Sequence, residues 1–275
     1  MLKEQDMKKI EEYTTLDAYP AFLITRAALN DIIEASSWLT DEVSLRFTKD
    51  GMWARFTDPA HVSMTELNLP KEKFAQYDFQ GEAVLNIDMD AIKDMLRHVE
   101  KSEKVFSMRA IETPSRHEDG TPIKYLAITV DSPFDSAGFV RYGVPLLKDE
   151  LPLPKYPALT LPTTVPLNML LVYKAGRILE SFTDHVVMEY DTGVLSLSSE
   201  NDHGNRCITM AVDGGESPSV RSLFPMDYFM GFVRAHKNAK EATLNMGTDL
   251  PMVLMATMPS GLTVKAAIAP RIEND

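Results

Sequence analysis

The sequence predicts an α+β fold made of two copies of one plan, strand-rich halves with helices laid on one face of their sheets. Three observations predict it: a repeated strand–glycine–strand hairpin, a repeated amphipathic helix running into a strand, and a proline-rich segment between the two. Asp41–Phe56 (DEVSLRFTKDGMWARF) and Asp184–Ser199 (DHVVMEYDTGVLSLSS) both alternate apolar and polar residues around a tight turn, Asp50-Gly51 in one and Thr192-Gly193 in the other. Alternation with period two is the pattern of a half-buried strand, and a Gly pair of this kind closes a hairpin. A helical stretch precedes each hairpin, Arg26–Leu39 and Met169–Phe182. The second pair is Met89–Met108 and Met226–Met246, each a helix leading into a strand, with Arg97 matching Arg234 in register. Between the halves Lys148–Pro162 (KDELPLPKYPALTLP) carries four prolines, which discourage regular structure. Its Leu151, Leu153, Tyr156, Leu159 and Leu161 make it a strap lying on a surface rather than a free tether. The expected division is a charged extension at 1–17, with the character of a short helix, a first domain at 18–147, the strap at 148–162 and a second domain at 163–275. Each half carries eight or nine strands and two helices.

Composition narrows the function. The lone cysteine, Cys207, excludes an internal disulfide and a cysteine metal cage. No run of 18 apolar residues is present to span a membrane, and the charged start lacks the apolar centre of a signal peptide. No GxSxG, GxxxxGK[ST], GxGxxG or HExxH motif occurs, and the six histidines are scattered without ligand spacing. Glu200, Asp202 and His203 share a polar loop, SENDHGNR, which reads as a hairpin turn. The expectation is therefore a protein with no catalytic residues, no metal and no cofactor, not an enzyme. The net charge of −12 speaks against phosphate binding, which needs a basic surface. Its distribution speaks the other way: the four helical stretches 26–39, 88–101, 169–182 and 226–240 together carry +1, leaving −13 for the rest. Lys93, Arg97 and Lys101 recur every four residues and so share a helix face, as do Lys174 with Arg177 and Arg234 with Lys237. Taken alone, such charges are more often a solvated face than a nucleic-acid lining.

Three segments resemble a known family. Asp50–Pro70 (DGMWARFTDPAHVSMTELNLP), Ser222–Met255 and the tail Leu262–Asp275 (LTVKAAIAPRIEND) are similar to the proliferating cell nuclear antigen family of DNA sliding clamps, particularly its archaeal members, and the resemblance runs over about 19–275. It implies the DNA clamp fold, a ring of three subunits with helices lining the hole and sheets outside, and no catalytic activity. On that basis Lys93, Arg97, Lys101, Lys174, Arg177, Arg234 and Lys237 become the expected contacts to double-stranded DNA, made without sequence readout. The resemblance also implies a site for short peptide motifs of DNA polymerase, clamp loader, flap endonuclease and ligase. The matching positions are His61, Val62, Met64, Leu151, Leu153, Pro251, Ala267, Ile268, Ala269 and Pro270. Ala267 is small where the family commonly has bulk, and the first helix carries almost no basic residue. Ring closure would use the strands at 138–144 and 206–212, with Arg141, Gly143, Cys207 and Thr209 in the joint and Glu100 facing Lys174 across it. The implied location is the archaeal cytoplasm beside the nucleoid, or the nucleus of a eukaryote. The alternatives are a subunit of a mixed or checkpoint ring and a non-ring adaptor.

Overall fold

The computed structural model describes residues 13–101, 104–131, 139–149, 151–213 and 217–272. Within them the chain forms eighteen strands and four helices. It falls into two compact units. The first takes residues up to Ile33, then Asp41–Ala54 and Asn68–Pro152. The second takes Glu34–Thr40, Arg55–Leu67 and everything from Leu153 onward.

In the first unit the chain enters as β1 (Thr14–Thr15), which pairs with β8 (Val105–Arg116). The described end of the extension is thus a short strand on a sheet and not a helix; residues 1–12 lie outside the described part. That sheet runs β10 (Phe139–Pro145), β9 (Pro122–Asp131), β8, β2 (Ala21–Thr25), β6 (Gln76–Tyr77). The predicted hairpin forms as β3 (Glu42–Thr48) and β4 (Gly51–Thr57), and β3 also pairs with β7 (Ala83–Asp88). Gly51 sits at φ +130°, and a Cβ there would lie 2.3 Å from the Leu69 carbonyl oxygen, so only glycine fits this turn. The core is aromatic at its centre. Phe22 stacks against Phe47 at 5.1 Å and meets Phe74 edge-on at 5.4 Å. Helix α1 (Arg26–Ser36) follows β2 directly, and α2 (Met89–His98) follows β7. Asp88 caps α2 by accepting from the Asp90 and Ala91 N–H groups, while Ile92 and Met95 turn inward.

In the second unit β11 (Thr163–Pro166), β16 (Glu241–Met246), β17 (Met252–Thr257), β18 (Thr263–Ile268) and β5 (Ser63–Pro70) follow one another in the order of an eight-stranded sheet. The other runs β14 (Gly204–Ala211), β13 (Val194–Asn201), β12 (His185–Asp191), β15 (Val220–Pro225). Glu34–Thr40 belongs here because the Trp38 ring packs edge-on against Phe232 at 5.8 Å and His236 at 6.2 Å. The repeat visible in sequence recurs as a bond. The Met89 N–H donates to the Asp41 carbonyl at 2.7 Å, and the Met226 N–H donates to the Asp184 carbonyl at 2.8 Å. Each therefore starts a helix from the residue that opens the preceding hairpin.

Helices α3 (Met169–Leu179) and α4 (Met226–His236) pack together through Gly176, where a Cβ would sit 2.5 Å from Met230 Sδ and 3.1 Å from Phe229 Cε1. In an open helix, Gly→Ala stabilises by about 0.5–1 kcal/mol. Here the close approach reverses the sign. Gly176→Ala is expected to destabilise by about 1–2 kcal/mol through overpacking, read as a lowered midpoint in urea denaturation. An unchanged or raised midpoint would show that the two helices are not in close contact.

Candidate functional site

Of the basic residues singled out in sequence, Lys93, Arg97, Lys174, Arg177 and Arg234 lie on helices, and Lys101 and Lys237 lie past helix ends. On α2, Lys93 and Arg97 are exposed, and each pairs with an acidic residue one turn back: Lys93 with Asp90 at 3.4 Å and Arg97 with Asp94 at 3.0 Å. Lys101 does not share their face. The helix ends at His98 because Val99 is buried and extended (φ −95°, ψ 133°), so the four-residue spacing loses its meaning there. The solvent side of α1 is Ala27, Asn30 and Glu34, and it offers no cation; Arg26 is folded back, donating from Nη2 to the Glu100 carbonyl at 2.6 Å.

In the second unit Lys174 and Arg177 are exposed on α3. Glu180 Oε1 accepts from Arg234 Nη2 at 2.6 Å, and its Oε2 lies 3.6 Å from Arg177. One carboxylate thus serves two of the expected DNA contacts, and this contact holds the Arg234 guanidinium's pKa above its usual value. Lys237 lies just past the end of α4, where its ammonium donates to the Arg234 carbonyl at 3.2 Å. That is a helix C-terminal cap rather than a shared helix face. Lys174 has no carboxylate partner among the described residues. Its neighbours on the exposed face of α3 are Leu170, Leu171 and Ile178 at 45, 49 and 53% exposure.

The two strands expected at a joint both end a sheet, β10 in the first unit and β14 in the second. On β10, Arg141 lies over the Tyr13 ring at 4.6 Å and the Phe139 ring at 5.4 Å, and Gly143 is exposed. Phe139 itself is 61% exposed. On β14, Cys207 and Thr209 are exposed. Arg206 beside them donates to the Ile178 carbonyl at 2.7 Å and covers the Phe182 ring at 4.3 Å, closing the last turn of α3 with a cation. Glu100 is exposed as well. The SENDHGNR loop is the two-residue turn between β13 and β14: Asn201 Oδ1 accepts from the His203 N–H at 2.8 Å.

The peptide-site positions divide. His61, Val62, Met64, Pro251 and Ala267–Pro270 all belong to the second unit. The Ala269 N–H donates to the Val62 carbonyl at 2.8 Å and Ser63 Oγ donates to the Ala267 carbonyl at 2.6 Å, fastening the loop before β5 to the C-terminal segment. Ile268 is 0% exposed and so closed to a bound peptide, and Ala267 beside it is only 6% exposed and offers little surface. Leu153 is 43% exposed, but Leu151 belongs to the first unit, where its N–H donates to Ser44 Oγ at 3.2 Å. The strap is seated in the second unit by two contacts: Arg55, ion-paired to Glu66, donates to the Pro154 carbonyl at 3.2 Å, and Lys265 lies 3.7 Å over the Tyr156 ring. Burial pushes the Tyr156 phenol up to about 12.

Sequence reasoning missed the group that shapes this loop. Asp58, only 4% exposed, accepts from the Ala60 N–H at 2.9 Å, the Ser63 N–H at 2.6 Å and the Tyr228 hydroxyl at 2.7 Å. The Tyr228 phenol is held up at about 12 because deprotonation would break its bond to that carboxylate. The turn holds His61 at φ +56°, exposed on the surface. The Asp58-Pro59 pair signals a turn, but nothing local points to a tyrosine 170 residues away.

Residues 20–117 match the family described as Proliferating cell nuclear antigen, N-terminal domain. A curated DNA polymerase sliding clamp from Methanococcoides burtonii is 29% identical over 267 residues, covering 95% of this chain and 98% of the relative. Two solved structures share the fold. One, the C-terminal region of FEN-1 bound to A. fulgidus PCNA, superposes with TM-score 0.79 at 23% identity, over 93% of this chain and 100% of that one. The other, a PCNA2–PCNA3 complex from Sulfolobus tokodaii, gives 0.75 at 19%, over 92% and 100%. These matches run along nearly the whole chain and together support a sliding clamp of the proliferating cell nuclear antigen type.

Proposed function

We propose that the chain is a non-enzymatic DNA sliding clamp whose copies close into a ring of three around duplex DNA and tether replication proteins to it. The observation that carries this is the match to curated DNA polymerase sliding clamps along 95% of the chain. The duplicated domains joined by the strap 148–162 are part of this reading. In it β10 of one copy pairs with β14 of the next, which gives a partner to edges that would otherwise template aggregation. Lys93, Arg97, Arg177 and Arg234 face the DNA, with Lys101 and Lys237 at the helix ends and Lys174 where the lining meets the joint. With Lys93, Arg97, Arg177 and Arg234 half-neutralised by Asp90, Asp94 and Glu180, the set supplies a loose, salt-sensitive attraction to phosphates. A ring needs no more, because closure and not affinity retains the DNA. Partner motifs of the polymerase, clamp loader, flap endonuclease and ligase kind dock beside the strap on Val62, Met64, Leu153, Pro251, Ala267, Ala269 and Pro270. The solved complex of a similar clamp with a FEN-1 segment supports a flap-endonuclease-type partner. No helix among the described residues is long and apolar enough to cross a membrane.

Retention on DNA tests the reading. Loaded onto nicked circular plasmid, the protein is expected to remain bound through gel filtration and to be lost once the plasmid is cut. Equal retention on circle and line would overturn the topological mechanism. The mixed-ring alternative draws support from the fold match to a complex of two different clamp subunits. Light scattering of the purified chain separates the two: three copies for the homotrimer, a monomer for the mixed ring.

A further inference from the structure

The first unit carries a cleft of about 340 Å³ that no part of the clamp reading uses. It lies between the tip of the β8–β9 hairpin and the residues where the strap begins. Its floor is Val84, Leu146 and Leu147, and its rim holds His117, Lys124 and Lys148. Among the described residues no acidic side chain lines it, in a chain of net charge −12. Local structure fixes the rim. The His117 N–H donates to the Thr121 carbonyl at 2.9 Å, and Asp119 Oδ1 accepts from the Thr121 N–H at 3.0 Å and its hydroxyl at 2.7 Å, so the hairpin tip is a closed turn. A bulge between Glu112 and Arg116 adds twist to the ladder just before it. The floor is fixed as well: the Asn86 carbonyl accepts from the Leu147 N–H at 2.9 Å, and Asn86 Oδ1 accepts from Ser44 Oγ at 2.6 Å.

The two lysines differ in what they face. Lys124 donates to the Tyr19 hydroxyl at 3.1 Å and has no carboxylate partner among the described residues; Glu112, opposite it across the ladder, is ion-paired to Arg116 at 3.3 Å. Lys148 is ion-paired from outside the cleft with Asp119, with Asp149 adding a second negative charge nearby. The chain therefore already places a carboxylate on one rim ammonium and leaves the other without one.

We propose that this cleft binds a short acidic peptide segment, with carboxylates on Lys124 and Lys148 and an adjoining apolar side chain on Val84, Leu146 and Leu147. The volume suits one or two side chains rather than a nucleic-acid track, and an apolar floor under a cationic rim favours a peptide over a bare anion. The site goes beyond the clamp reading and stands or falls without it. The ligand carboxylate competes with Asp119 for Lys148, so Asp119 acts as an internal stand-in for part of the ligand.

The probe is a fluorescein-labelled hexapeptide of alternating acidic residues and leucine, with a Gln/Asn–Leu peptide as its neutral counterpart, read by fluorescence anisotropy on the full chain. The acidic peptide is expected to bind at least about tenfold tighter than the neutral one, and Lys124→Glu with Lys148→Glu to weaken it by about tenfold or more. Asp119→Asn, which keeps an oxygen for Thr121 but releases Lys148, is expected to tighten it by about threefold. That gain is not an effect of misfolding, so it holds the test open if the double lysine variant folds poorly. Equal binding of the neutral peptide, no response to the lysine changes, or weaker binding by Asp119→Asn would each overturn the proposal. Displacement by inorganic phosphate at peptide-like concentrations would overturn the peptide assignment and leave a simple anion site.

Discussion

Replacing Leu171 and Ile178 together by glutamate is expected to convert a particle of about 92 kDa, three chains of 30.8 kDa, into a monomer. The two residues stand seven apart on α3, on one face, at 49 and 53% exposure, with Lys174 between them. The patch is continuous with the β14 edge through Arg206, which binds the carbonyl of Ile178 itself. In the proposed ring this apolar face would be covered by the neighbouring copy. Covering each side chain contributes on the order of 1 kcal/mol, and a glutamate in its place puts an unpaired charge in the joint at a cost of several more. Association should therefore weaken by about a thousandfold or more. Because the face is open to solvent within one chain, the urea midpoint of the monomer should hardly move. Light scattering that still gives three copies would remove α3 from the joint. A monomer with a lowered midpoint would instead mean that the substitutions damaged the second unit.

Acid should destabilise the second unit through His236. Its side chain is fully buried, its Nδ1 lies 2.7 Å from the Phe232 carbonyl, and its Nε2 has no partner among the described residues. Burial drives its pKa down to about 4, with the bond to Phe232 opposing the shift. The sign follows: above pH 6.5 the ring is neutral folded or unfolded and stability is full, whereas between 6.5 and about 4 only the unfolded chain takes the proton. Stability therefore falls as pH drops through that window, by up to about 3 kcal/mol once the pH reaches 4. Urea denaturation at pH 7, 5.5 and 4.5 reads this directly, and His236→Leu is expected to flatten the fall within the window even if it is less stable at pH 7. Asp184 and Asp191, whose carboxyls are held below the usual range by hydrogen bonds from His185 and Ser219 respectively, titrate lower and add their losses beneath the window. A wild-type curve that is flat from pH 7 to 4.5 would mean that His236 meets water.

Much of the fold could be read from the chain because its signals are local. Both hairpins close at the Gly residues that the strand alternation picked out, and all four helices begin within a residue of where periodicity set them. Helix ends were less legible. Lys101 and Lys237 keep the spacing of a helix face, but Val99 turns inward, and Lys237 spends its ammonium on the carbonyl of Arg234. Spacing counts residues and does not see where burial ends a helix. The same limit hid the inward face of Ile268 and the division of the strap's leucines, Leu151 to one unit and Leu153 to the other.

The α+β class, the repeated plan, the hairpins, the helix starts and the excess of basic residues on the helices were all legible along the chain, because each rests on neighbours within a few positions. Which charges are free was settled by packing. Asp90 and Asp94 lie close enough in sequence to be suspected, but one Glu180 holding both Arg177 and Arg234, and an Asp58 carboxylate bound by Tyr228, join residues on different elements. Charge and burial are settled by whatever packing brings alongside, and that is fixed only when the sheets and helices have closed on one another.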